Sequence, residues 1–120
     1  MVCAATVLLA ALVAALVVLA WRARAPGSSA TARALARNGW VVYVREGCGP
    51  CAKQKQVLAE LGFTRIVHHD ASGQRIGPVP NGAPTAPPGG LKAFPTWLEV
   101  PTGTQVKGFQ SAAQLAAMAK

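Results

Sequence analysis

The sequence predicts an α/β domain in the order β-α-β, loop, β-β-α, built on a four-stranded mixed sheet and preceded by an N-terminal transmembrane helix. Two β-branched runs, "WVVYV" at Trp40–Val44 and "TRIVHH" at Thr64–His69, flank a stretch of strong helix formers. A Pro- and Gly-rich segment then leads to two strand-like runs joined by "PTGT", with a capped helix behind them. Ahead of all this, residues 2–21 carry no charge, and as a helix they extend about 30 Å, the depth of a bilayer's hydrocarbon core.

The N-terminal run, "VCAATVLLAALVAALVVLAW", has two readings. An uncleaved single-span anchor fits its length, with Trp21 at the interface. A cleaved signal peptide calls for a basic residue before the run, and there is none; "ARA" at Ala23–Ala25 has the form of a cleavage site but is followed directly by Pro26. The anchor is the favoured reading, so the expected organisation is 1–21 anchor, 22–39 basic linker with a short helix, and 40–120 folded domain. Arg22, Arg24, Arg33 and Arg37 all follow the span, which by the positive-inside rule favours a cytoplasmic domain; the lumenal or periplasmic side, or secretion, is the alternative.

The net charge is +8, with only four acidic residues. The basic residues are scattered singly or in pairs, without a block or an aromatic-interleaved patch, so nucleic acid is not an expected partner. Arg22 and Arg24 are placed to meet anionic lipid headgroups.

Within the domain, Ser29 or Thr31 is expected to cap a short helix that stops at Asn38-Gly39. Trp40–Val44 is apolar at every position, the pattern of a strand buried on both faces. Pro50 suits the first turn of the next helix, Val57, Leu58 and Leu61 form its apolar face, and Gly62 is its expected stop. Residues 71–90 contain five Pro and five Gly, which no continuous helix tolerates. "TWLEV" (Thr96–Val100) and "QVKGF" (Gln105–Phe109) read as a hairpin, with Trp97 in the core, and Ser111 with Gln114 has capping-box spacing.

Chemistry concentrates in "GCGPC". Cys48 and Cys51 fall where a buried strand gives way to a helix. A helix N-terminus offers unpaired N–H groups and partial positive charge to a thiolate, the reactive form of cysteine. The two-residue spacing lets the second sulfur reach the first, so Cys48 is expected to attack a substrate disulfide and Cys51 to resolve the mixed disulfide. Pro50 stiffens the turn, and Gly49 and Pro50, between the two cysteines, are expected to take part in substrate binding. Cys3, in the apolar run, behaves as a small hydrophobe.

"CGPC" after a buried strand, the distant "FPTW" at Phe94–Trp97, a hairpin, "G-F" at Gly108–Phe109 and a final helix resemble the thioredoxin fold. "CxxC-x-x-Q-K" at Cys48–Lys55 with "G-F-Q-S-A-A-Q-L-A" at Gly108–Ala116 is similar to the thioredoxin-like domain associated with vitamin K epoxide reductases, a resemblance covering roughly residues 40–120. It implies a membrane-associated thiol-disulfide oxidoreductase, an enzyme without a cofactor, acting on protein disulfides or dithiols. It also implies that Pro95 is cis, faces the cysteine pair, and with Phe94 contacts the substrate backbone. Two positions depart from thioredoxin proper: Val42 stands where that family carries a buried Asp, and Gly47 where it carries Trp.

Other roles for the cysteines were weighed on the residues. A Cys/His metal site would need His68 and His69 to share an ion, but neighbours on a strand point to opposite faces. The other alternative is a non-enzymatic membrane-anchored thioredoxin-like protein whose cysteines only staple the helix start, but so short a loop gains little from closure. Neither the direction of exchange nor the substrate is encoded in a CxxC pair.

Overall fold

The computed structural model describes residues 29–120. The expected span at 2–21 and the basic residues Arg22 and Arg24 lie outside this range. Among the described residues no helix is long and apolar enough to cross a membrane.

Eight elements follow one another: α1 (Ala30–Arg37), β1 (Trp40–Arg45), α2 (Gly49–Leu61), β2 (Ile66–His69), β3 (Arg75–Ile76), β4 (Thr96–Glu99), β5 (Thr104–Lys107) and α3 (Ala112–Met118). They form one sheet in the order β3-β2-β1-β4-β5. β1 runs parallel to β2, as a β-α-β crossover requires, and antiparallel to β4; β5 and β3 close the edges, each antiparallel to its neighbour. The sheet therefore has five strands, not the four the sequence predicts.

The extra strand comes from a turn. The Asp70 carboxylate accepts the N–H groups of Ser72 and Gln74, each at 2.9 Å, and Gly73 takes a positive φ of 90°. The chain doubles back and places Arg75 and Ile76 against His69 and His68. Two residues are too few to show a period-two pattern.

β1 is buried from Trp40 to Val44, so the sheet must be covered on both sides. Trp40, Val42 and Val44 face Leu35 of α1, Cys51 and Leu58 of α2, Trp97 of β4 and Leu115 of α3. Val41, Tyr43, Val67 and Leu98 face the other way, onto Val79, Ala83, Leu91 and Phe94. Leu91 and Phe94 come from the stretch before β4 and Val100 joins them just past it, while Val79 and Ala83 belong to the Pro/Gly-rich segment. Its backbone is fixed by side chains reaching out from the framework: Tyr43 Oη–H donates to Pro84 O at 2.8 Å, Arg65 Nη1 to Asn81 O at 3.0 Å, and Gln105 Nε2 to Pro88 O at 2.9 Å. Burial pushes the Tyr43 hydroxyl up to about 12, so it remains a donor at any neutral pH.

The helix ends follow their local chemistry. Ser29 caps α1 through Ala32 N–H. Ser111 and Gln114 make both bonds of a capping box. Gly62 ends α2 at φ 76°. The turn before β1 uses another glycine for space: at Gly39, φ 83°, a Cβ would lie 2.6 Å from Pro101 Cδ.

Gln54 locks α2 to the rest. Its side chain is fully buried, its Oε1 accepts Trp97 Nε1–H at 3.2 Å and Gln110 N–H at 2.7 Å, and its Nε2 donates to Gln110 O at 3.0 Å. Replacing Gln54 with Leu leaves the Trp97 and Gln110 donors without partners in a dry site. We expect Gln54→Leu to lower the unfolding free energy by about 2–4 kcal/mol, read from urea melts.

Candidate active site

Cys48 is the N-cap of α2, in extended conformation, and its Sγ accepts the Cys51 N–H at 3.4 Å. Sulfur here takes the place of the usual Ser or Asp oxygen. The helix starts abruptly because Gly47, at φ 76°, turns the chain out of β1, and Pro50 falls in the first turn, where a missing N–H costs nothing. Cys48 is half-buried and Cys51 is fully buried, and both are free thiols. An accessible sulfur thus sits above an enclosed one, at the positive end of a helix dipole.

Burial, and then the hydrogen bond to Cys48, push the Cys51 thiol up to about 11; the Arg45 backbone and the Lys55 charge act in the opposite sense. Lys55 lies one helical turn beyond Cys51. Burial and then the same Lys55 charge pull the His68 imidazole below its usual value.

The segment before β4 supplies the opposing wall. The Phe94–Pro95 peptide is cis, and the Cys48 thiol lies 3.6 Å from Phe94 O, to which it donates. Gly108 N–H holds Pro95 O at 2.8 Å, tying this wall to β5. The Phe94 ring is gripped from two directions. The His69 ring centroid is 5.1 Å away, and the Arg45 guanidinium carbon lies 5.3 Å from the ring centroid. His69 is itself buried, with Nδ1 3.1 Å from Val44 O. Arg45 Nε is buried without a hydrogen-bond partner among the described residues.

The six residues the sequence singles out are therefore brought together: Cys48, Gly49, Pro50 and Cys51 on the start of α2, with Phe94 and Pro95 opposite. His68 and His69 do face different ways, one exposed and one buried. Among the described residues no group of three or more His, Cys, Asp or Glu side chains is placed to hold a metal. Sequence reasoning met Gln54 and Phe109 only as letters of the resembling motifs and His69 only as a possible metal ligand, and it gave none of them its contacts. Gln54 was detectable as a polar residue in register with Cys51 and Leu58 on the buried face of α2. His69 and Phe109 depend on contacts distant in sequence. Phe109 is exposed and, with Gly49, Pro50 and Lys53, lines a hollow of about 300 Å³ beside the cysteines.

Comparison with family models, curated proteins and solved structures finds no match for this chain. What the molecule itself displays is a small α/β domain with a mixed five-stranded sheet and a Cys48–Cys51 pair after β1, compatible with a thioredoxin-like fold.

The Cys51 environment sets a pH dependence. In the unfolded chain this thiol ionises near 9.0, whereas in the fold it keeps its proton up to about 11. The native state binds the extra proton between these values, so the contribution of this thiol to stability is complete below about 9 and is lost as pH rises through about 11. Urea midpoints of the reduced protein should fall over this range, and Cys51→Ala should fall less steeply.

Proposed function

We propose that the protein is a thiol-disulfide oxidoreductase. The observation that carries this reading is the placing of Cys48 between the N-terminus of α2, with Cys51 enclosed beneath it, and the Phe94 carbonyl ahead of the cis Pro95. Cys48 as a thiolate attacks one sulfur of a substrate disulfide. A Cys48–substrate bond forms, the substrate S–S bond breaks, and the departing sulfur takes a proton from water. Cys51 then gives up its proton to solvent water and, as a thiolate, attacks Cys48 Sγ. A Cys48–Cys51 bond forms and the second substrate thiolate leaves, so two electrons pass from the pair to the substrate. The reverse sequence oxidises a dithiol.

The backbone of Phe94 lines the approach to Cys48, which suits pairing with an extended substrate segment. Gly49, Pro50 and the exposed Phe109 ring supply apolar contact beside it. The anchor at residues 2–21 adds a membrane tether, in keeping with the resemblance to domains associated with vitamin K epoxide reductases. The Gly-Pro dipeptide resembles reducing members of the thioredoxin family.

Full-length protein in detergent, assayed against insulin disulfides with dithiothreitol as reductant, tests the activity. Cys48→Ser should reduce turnover to background without changing the far-UV circular dichroism. Cys51→Ser should accumulate a mixed disulfide visible on non-reducing gels. Turnover by Cys48→Ser equal to wild type would sink the mechanism. Phe109→Ala should raise KM for insulin about three- to tenfold with kcat nearly unchanged, the mark of lost uniform binding. Direction is read separately from the reduction potential: about −270 mV marks a reductase, and about −120 to −180 mV an oxidant or isomerase.

A further inference from the structure

The cysteine pair and the start of the described chain lie at opposite ends of α2. Cys48 caps its N-terminus, whereas Ser29 N–H is held by Leu61 O, 2.9 Å away, at its C-terminus. Thirteen residues of helix separate these ends by about 20 Å. The end that receives the chain from the N-terminal segment has a hollow of about 300 Å³, lined by Arg33 and Arg37 from α1, Arg65, and Gly62, Phe63 and Thr64. Arg33 and Arg37 are one helical turn apart and both exposed. Arg65 is fixed by donating Nε–H to Trp40 O at 3.1 Å and Nη1–H to Asn81 O at 3.0 Å. Among the described residues no acidic side chain lines the hollow, although Glu60 stands two residues before Gly62.

We propose that this Arg33–Arg37–Arg65 hollow is a docking face for anionic lipid headgroups, and that docking turns the Cys48–Cys51 pair away from the bilayer. The occupant is argued from charge and from chain length. Only seven residues lie between Trp21, the end of the apolar run, and Ser29, and even fully extended the eight Cα–Cα steps reach no more than about 28 Å. If residues 2–21 span the membrane, the basic end is kept close to the headgroups, where each arginine adds to adsorption. The dithiol then faces the aqueous phase, and its substrate is a soluble or extramembrane protein rather than a group within the bilayer. The orientation and the chain-length part of this argument rest on the anchor reading, while the charge of the docking face does not.

Hydrogen exchange by mass spectrometry tests it, with full-length protein in nanodiscs of phosphatidylcholine alone or mixed with phosphatidylglycerol. Amides of 30–37 and 62–65 should exchange roughly tenfold more slowly on the anionic discs, with 49–53 unchanged. Arg33→Gln with Arg37→Gln should remove the difference, and Arg33→Lys with Arg37→Lys should keep it. Equal exchange on both discs, protection centred on 49–53, or the same protection from inorganic phosphate on neutral discs would overturn the proposal. Co-elution with neutral discs reads the anchor separately. Protection on anionic discs without that co-elution supports the docking face and removes the tether; co-elution with neither disc overturns both. Insulin reduction on the same samples reports on the thiol chemistry alone.

Discussion

A strand that shows no face to water must be covered twice, and Trp40–Val44 is such a strand. One cover is conventional, three helices packed through Leu35, Leu58 and Leu115. The other is a loop, with Val79, Ala83, Leu91 and Phe94 filling the place where many α/β domains lay a helix. Loop backbone near a core has no internal ladder of hydrogen bonds, so its polar groups need partners from elsewhere. Tyr43, Arg65 and Gln105 provide them from the sheet and its borders. The burial of β1 thus dictates both the layering and the polar side chains that staple the irregular layer.

The site is where the two covers meet. Cys51 and Gln54 belong to the helical side and His69 to the loop side, Phe94 packs against both clusters, and Cys48 reaches across through Cys51 N–H and Phe94 O. Neither layer makes the site alone. Val42, where thioredoxin proper has Asp, is sealed within the helical side. The charged group acting on Cys51 from its own helix is Lys55.

Much of this was legible from the sequence because it is local. The cap at Ser111, the stop at Gly62 and the apolar run at Trp40–Val44 each declare themselves within a few residues. The cysteine pair was legible for the same reason, since a strand, a Gly, a Cys and a Pro fix a helix start. The fifth strand was not, because Arg75–Ile76 pairs only after Asp70 has built its turn. The roles of His69 and Gln54 were not, because each is defined by partners such as Phe94 or Trp97, far away in sequence. The opposing wall at Phe94–Pro95 came through resemblance, and the residues alone would have left it unassigned.

Phe94 ends the irregular cover and also presents its carbonyl to Cys48. The same stretch of chain is therefore lid to the core and jaw to the site. Long surface loops usually accept insertions and survive a nick by a protease, because little depends on their continuity. This one has no such freedom. A cut between Val79 and Phe94 would wet Tyr43 and Leu98 and at once release the jaw, so the domain's integrity and its chemistry should be lost together.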